Sequence, residues 1–298
     1  IRVKVMQTLY TVSSLESEEK GAKVPDPQKI LQEHFDQTRA VLVYLIYFIA
    51  EVARYAEKDA HQRASKHLPS QEDLNVNTKI AGNTWLWKII EDPSFREALK
   101  KDKPDHLVDK ELLRKTYVQL KETPEYRNYI STPSRENADE RAIIEFIFTE
   151  LLLPNELFIS QLEENFSNWQ DDGEMLVQLL SGFLHKPGSL NFSQLMSPDK
   201  QQFATLLLQT VMEKNKYLEG LIIPKLKNWD PHRIASLDMI LMRMGICEFL
   251  FFETIPPKVT INEYIDLAKE YSTQQSGQFV NGILDNIHKD LVRDNQMH

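Results

Sequence analysis

Cysteine is nearly missing: Cys247 stands alone in 298 residues. That excludes an intrachain disulfide and a multi-cysteine zinc site, and it fits a reducing cytoplasm. Glycine is scarce, nine in all, and no two glycines form a G-x-G pair. A Walker-type lysine loop and a G-x-S-x-G elbow are also absent, so the common phosphate-cradling and nucleophile signatures are missing. His61 and His67 are six residues apart and fall on different helix faces, which does not suit a shared metal. Asp171-Asp172-Gly173-Glu174 lacks the alternating ligands of a calcium loop and reads as a helix start. Cys247 lies in an apolar helical stretch, where a thiol is a buried, inert group. Neither enzymatic activity nor a cofactor or metal is expected. No apolar run reaches the roughly 20 residues of a membrane span. The longest, VLVYLIYFIA at 41–50, is closed by Arg39 and Glu51 and reads as a buried helix.

The formal net charge of -9 argues against indiscriminate nucleic-acid binding but leaves room for a local basic patch. Residues 199–298 hold eleven Lys/Arg against thirteen Asp/Glu, a balance of 11 - 13 = -2, so most of the negative excess lies earlier.

Apolar residues recur with the 3.6-residue period and rarely alternate, so the chain is expected to be all-α. A first helix is expected at about 2–15 and a long one at 28–66. The stretch 67–138 is broken by Pro69, Pro93, Pro104, Pro124 and Pro133, with short helices such as 109–122. Asn137 is placed as the cap of a helix running to Leu153, with Pro154 at the first position of the next. GEMLVQLLSGFLH, 173–185, stops at Pro187-Gly188. Ser197-Pro198 opens a helix to about 227 with Phe203, Leu207, Val211, Leu218 and Ile222 as its stripe. Asp230 and Pro231 start a helix whose face carries Ile234, Leu237, Leu241, Met244 and Phe251. Thr260 and Glu263 have capping-box spacing. The expected division is 1–198, a helical N-terminal region, and 199–298, a compact helical bundle.

SGQFVNGILDNI, 276–287, contains Asn281-Gly282, a strong hairpin signal. Yet Val280, Ile283, Leu284, Ile287 and Leu291 follow the helical period, so this is a helix with Ser276 as its cap. Gly282 then lies inside it, at a cost of about 1 kcal/mol unless another backbone approaches closely. Phe279, in the first turn, either packs at the core margin or offers its face to an unstacked base. In the first helix Ile1, Val5, Leu9 and Val12 face one way. Lys4, Gln7, Thr11 and Ser14 form an opposite polar stripe, which is either a solvated face or a contact for an RNA backbone.

Residues 228–285 resemble the C-terminal half of the NusB family of bacterial transcription antitermination factors. The resemblance rests on Asp238, Leu241 to Arg243, Glu248, Ile255-Pro256, Ile261-Asn262-Glu263, Leu267-Ala268-Lys269 and Phe279-Val280-Asn281-Gly282, in that order. KYLEGLIIPKL at 216–226 and IRVKVMQTLY at 1–10 are similar to the family as well. The segment 16–198 exceeds what compact members carry, which marks an enlarged, additional helical N-terminal region. The resemblance implies a NusB-like helical bundle that binds RNA without catalysis. It implies pairing with NusE, a small-subunit ribosomal protein, on single-stranded boxA RNA within an RNA polymerase antitermination complex, notably in ribosomal RNA operons. Carried over residue by residue, the RNA contacts are Arg2, Lys4, Gln7, Tyr10, Gln275, Ser276, Gln278 and Phe279. The NusE surface is placed at Glu213, Tyr217 and Glu219. A cytoplasmic protein with no membrane contact follows. The family's arginines ahead of the first helix would precede Ile1, and Gln275 replaces an acidic residue found in some members. Two alternatives stay open: an accessory RNA-binding domain of an RNA methyltransferase, and a protein-only helical scaffold.

Overall fold

Prolines and short polar side chains set most of the helix starts. The computed structural model describes residues 1–18, 25–226, 234–273 and 275–297. Among the described residues the chain is all-α, with fifteen helices and no strand. In order they are α1 (Arg2–Glu18), α2 (Pro27–Ala64), α3 (Gln71–Leu74), α4 (Thr84–Ile90), α5 (Pro93–Asp102), α6 (Lys110–Glu122), α7 (Pro124–Ser131), α8 (Asn137–Phe146), α9 (Glu156–Asn165), α10 (Trp169–His185), α11 (Pro198–Glu213), α12 (Asn215–Ile222), α13 (Ser236–Phe251), α14 (Pro257–Tyr271) and α15 (Ser276–Arg293). They form two compact units, one of residues 1–35 with 196–298 and the other of residues 36–195.

The unit of 36–195 is built on the apolar run of α2. Val41 to Ile46 and Phe48 to Ala50 are buried with almost no exposure. Tyr44 and Phe48 pack with Phe158 of α9, at ring centroids of 6.5 and 4.9 Å. The prolines that break the sequence between 67 and 138 mostly open helices. Pro93 and Pro124 hold the first position of α5 and α7, where a missing N–H costs nothing, after capping by Asp92 and Thr123. Asn137 is not a cap: α8 is preceded by Glu136, which makes no side-chain capping bond. The helix then widens into a π-helical turn at Ile147–Leu152. Pro154 lies ahead of the next helix rather than in it, because Asn155 caps α9 by accepting from the N–H groups of Leu157 and Phe158.

In the unit of 1–35 and 196–298, α13 is the central helix, packed by α1, α11, α12, α14 and α15. Its sequence is apolar almost all round, the pattern of a helix enclosed on every side. Ile240, Leu241, Met242, Met244, Ile246 and Cys247 are all essentially unexposed. Val5, Met6 and Leu9 of α1 join this core, which is why the first helix groups with the C-terminal bundle. The expected helix at 198–227 is interrupted at Lys214 into α11 and α12. Phe251, expected on the buried face, is 43% exposed. The expected start at Asp230 and Pro231 lies outside the described residues.

Candidate nucleic-acid interface

The start of α1 is fastened to a carboxylate inside the bundle. Glu248 of α13 is 1% exposed, and it faces Arg2 in a two-pronged pair, Nε to Oε1 at 2.7 Å and Nη2 to Oε2 at 2.9 Å. Thr260 Oγ1 and Tyr264 OH, both from α14, donate to the same carboxylate at 2.9 and 2.7 Å. Arg2 Nη1 also reaches Glu263 Oε2 at 3.1 Å, and its guanidinium lies 5.4 Å from the Phe203 ring centroid. Burial alone would lower the Arg2 pKa, but hydrogen bonding and charge from Glu248 more than offset it, so the group is held firmly protonated. The donors of Arg2 are thus engaged inside the protein. Thr260 and Glu263 do not form a capping box either, since α14 begins at Pro257 and the Thr260 hydroxyl is turned to Glu248.

A second tie holds the start of α15. Ser276 is 3% exposed, and its hydroxyl donates to Asp238 Oδ2 of α13 at 2.9 Å. It also bonds Ser272 Oγ and Thr273 Oγ1, at 3.0 and 2.8 Å. Ser276 is therefore not the cap of α15. Gln275 occupies that position and makes no side-chain capping bond. Gln275 and Gln278 are exposed, and Phe279 is half-buried at the edge of the core. Gly282 is exposed, and among the described residues a Cβ there would meet nothing within 4 Å, so none of their backbone approaches it. The close approaches are at Gly277, where a Cβ would lie 2.8 Å from Lys269 Cγ, and at Gly245, where it would lie 2.9 Å from Leu284 Cδ2.

The polar stripe of α1 is not a solvated face. Lys4 is 6% exposed, and Gln7, Thr11 and Ser14 are half-buried. Thr8 is wholly buried, and its hydroxyl donates to Lys4 O at 2.7 Å and sits 3.0 Å from His34 Nδ1 at the start of α2. Tyr10 is the outward residue, 49% exposed. The two ties sit ten positions apart on α13, at Asp238 and Glu248, a separation of about 15 Å along a helix rising 1.5 Å per residue. One rigid helix thereby fixes both arms of the expected RNA surface.

On the expected partner surface, Glu213 ends α11 and is exposed, Tyr217 is 48% exposed, and Glu219 lies on α12. Glu219 accepts from Arg243 of α13 at 3.3 Å, and Arg243 also bonds the Asn215 side chain. Burial lowers the Arg243 pKa against the opposing charge of Glu219. Cys247 is enclosed, and burial pushes its thiol far above the ordinary range. Sequence reasoning used Asp238 and Glu248 as matching letters but missed their role. The available signal was two carboxylates within a mostly apolar helix, where a charge needs a partner.

The NusB family model matches residues 161–289. The chain is 43% identical over 126 residues to the transcription antitermination protein NusB of Salinibacter ruber, covering 42% of this chain and 74% of the relative. It is 42% identical over 103 residues to the protein of the same name from Methylacidiphilum infernorum, 35% of this chain and 71% of the relative. Against that of Syntrophus aciditrophicus it is 38% identical over 97 residues, 33% of this chain and 60% of the relative. No solved structure matches it significantly. Identity at this level across most of the length of two relatives makes the chain a member of the NusB family.

Proposed function

We propose that this chain is a transcription antitermination factor that binds boxA-like single-stranded RNA together with NusE, as part of an RNA polymerase complex in the cytoplasm. The observation that carries the reading is the family match, which runs into α15 as far as residue 289 and includes Phe279 and its neighbours. The activity is binding, with no catalytic step. Tyr10 at one end, and Gln275, Gln278 and Phe279 at the other, are the side chains that meet RNA. The uncapped first turn of α15 offers N–H groups to a phosphate. Arg2 and Ser276 act beneath this surface by holding the two helix starts, and Lys4 contributes from a mostly buried position. Glu213, Tyr217 and Glu219 form the surface for NusE. No helix among the described residues is long and apolar enough to cross a membrane.

The test is binding of boxA-like and scrambled RNA, with and without NusE, at several salt concentrations. Tighter binding to boxA is expected, with log affinity falling against log salt by about 0.7 per phosphate contacted. Phe279→Ala is expected to weaken RNA binding by about 1 to 3 kcal/mol through lost stacking. Equal, weak binding to both RNAs in the presence of NusE overturns the reading.

A further inference from the structure

The negative excess of the chain is concentrated. Residues 136–174 hold eleven Asp or Glu and a single cation, Arg141. Two of the acids, Glu140 and Asp172, are buried structural groups, and Arg141 pairs with Glu145. On α9 the outer face carries Glu156, Glu163 and Glu164, all exposed, and no ion pair among the described residues engages them.

That same face carries an apolar residue the fold does not use. α9 buries Phe158 and Leu162 completely, as its 3.6-residue period requires, while Leu157 is 64% exposed. A single exposed leucine is ordinary. Leu157, however, borders a groove of about 240 Å³ that it shares with Ser160 and Glu164, one and two turns further along α9. The opposite wall comes from Asp109 and α6, with Leu112 as its apolar floor and Lys115 as its one cation. A second groove, of about 350 Å³, is lined by Leu153, Pro154, Glu156, Ile159 and Ser160, so Ser160 borders both. An exposed leucine set in a groove that also holds Asp109, Glu111 and Glu164 against one cation is the complement of a helix with one apolar and one basic face.

We propose that α9 is a docking surface for a cationic amphipathic helix of a partner protein. Leu157 packs among the partner's apolar side chains, and Glu156, Glu163 and Glu164 pair with its Lys or Arg residues. RNA does not suit this face, because the carboxylates repel phosphate. The proposal is independent of the RNA-binding reading, since it uses other residues in the other compact unit.

The full chain is titrated into a fluorescent synthetic helix with leucines at a 3.6-residue period and lysines elsewhere, and into a control with serine in place of each leucine. The leucine peptide is expected to bind the parent chain more tightly than the control. Leu157→Ser is expected to weaken binding of the leucine peptide about tenfold and to leave the control unchanged. Glu163→Gln with Glu164→Gln is expected to weaken both and to flatten the salt dependence. Leu157 is an exposed residue, so the variant keeps the parent's melting temperature and boxA affinity. Equal affinity of the parent and Leu157→Ser for the leucine peptide overturns the proposal. Self-association of the parent in sedimentation that Leu157→Ser abolishes also overturns it, because the occupant is then a second copy of the chain.

Discussion

Truncating Arg2 would leave Glu248 inside the bundle with two hydroxyl donors and no cation. A buried carboxylate deprived of its partner costs about 3 to 5 kcal/mol, so Arg2→Ala is expected to lower the unfolding free energy by that order in denaturant titration. A loss within a few tenths of a kcal/mol would show that the pair contributes nothing. The glycines separate in the same way. Gly282 is helical, exposed and open, so Gly282→Ala is expected to stabilise by about 0.5 to 1 kcal/mol through helix propensity. Gly245→Ala places a methyl 2.9 Å from Leu284 Cδ2 and 3.3 Å from Tyr264 Cδ2, two side chains that are themselves fully buried. Overpacking there is expected to destabilise by about 1 to 3 kcal/mol, and thermal melts of the two variants should shift in opposite directions.

Among the elements, the short helix α3 has a start that depends on an ionised carboxylate. Its capping box pairs the Ser70 hydroxyl with Asp73 N–H and the Asp73 carboxylate with Ser70 N–H. Lys66 bonds the same carboxylate at 2.8 Å, and Lys66 first, then Ser70, hold the Asp73 pKa down from its ordinary 3.8 to about 2. The folded value lies below the unfolded one, so this contribution to stability is present above the ordinary value and fades as pH falls from about 4 towards 2. Carbon-detected NMR titration of the Asp73 carboxyl is expected to show that depressed midpoint, with α3 amide signals lost over the same interval. An ordinary Asp73 midpoint would remove Lys66 from the account. α13 shows the opposite economy: with nearly every side chain enclosed, it has only Asp238 and Glu248 as buried carboxylates, and each serves as an attachment point for another helix start.

For the molecule as a whole, Cys247 reports on the integrity of the bundle. Burial keeps the thiol protonated and covered at neutral pH. Alkylation of the native chain is expected to be slow and to track the unfolding transition in denaturant; rapid labelling without denaturant would mean that the bundle opens locally around α13. The all-α class, the buried run at 41–50 and the helical reading of Asn281-Gly282 were legible in the sequence because periodicity and capping are local properties of the chain. Which polar residues face solvent was not. Lys4 falls on a polar stripe by its spacing, yet it is covered because α1 is packed on several sides. Arg2 and Ser276 look like surface contacts in a motif, but each is turned inward by a carboxylate more than thirty residues away in the chain. Composition and period determine which helices form and which family the chain resembles. Only tertiary packing decides which faces of those helices remain free to meet a ligand, because burial depends on neighbours that local sequence does not specify.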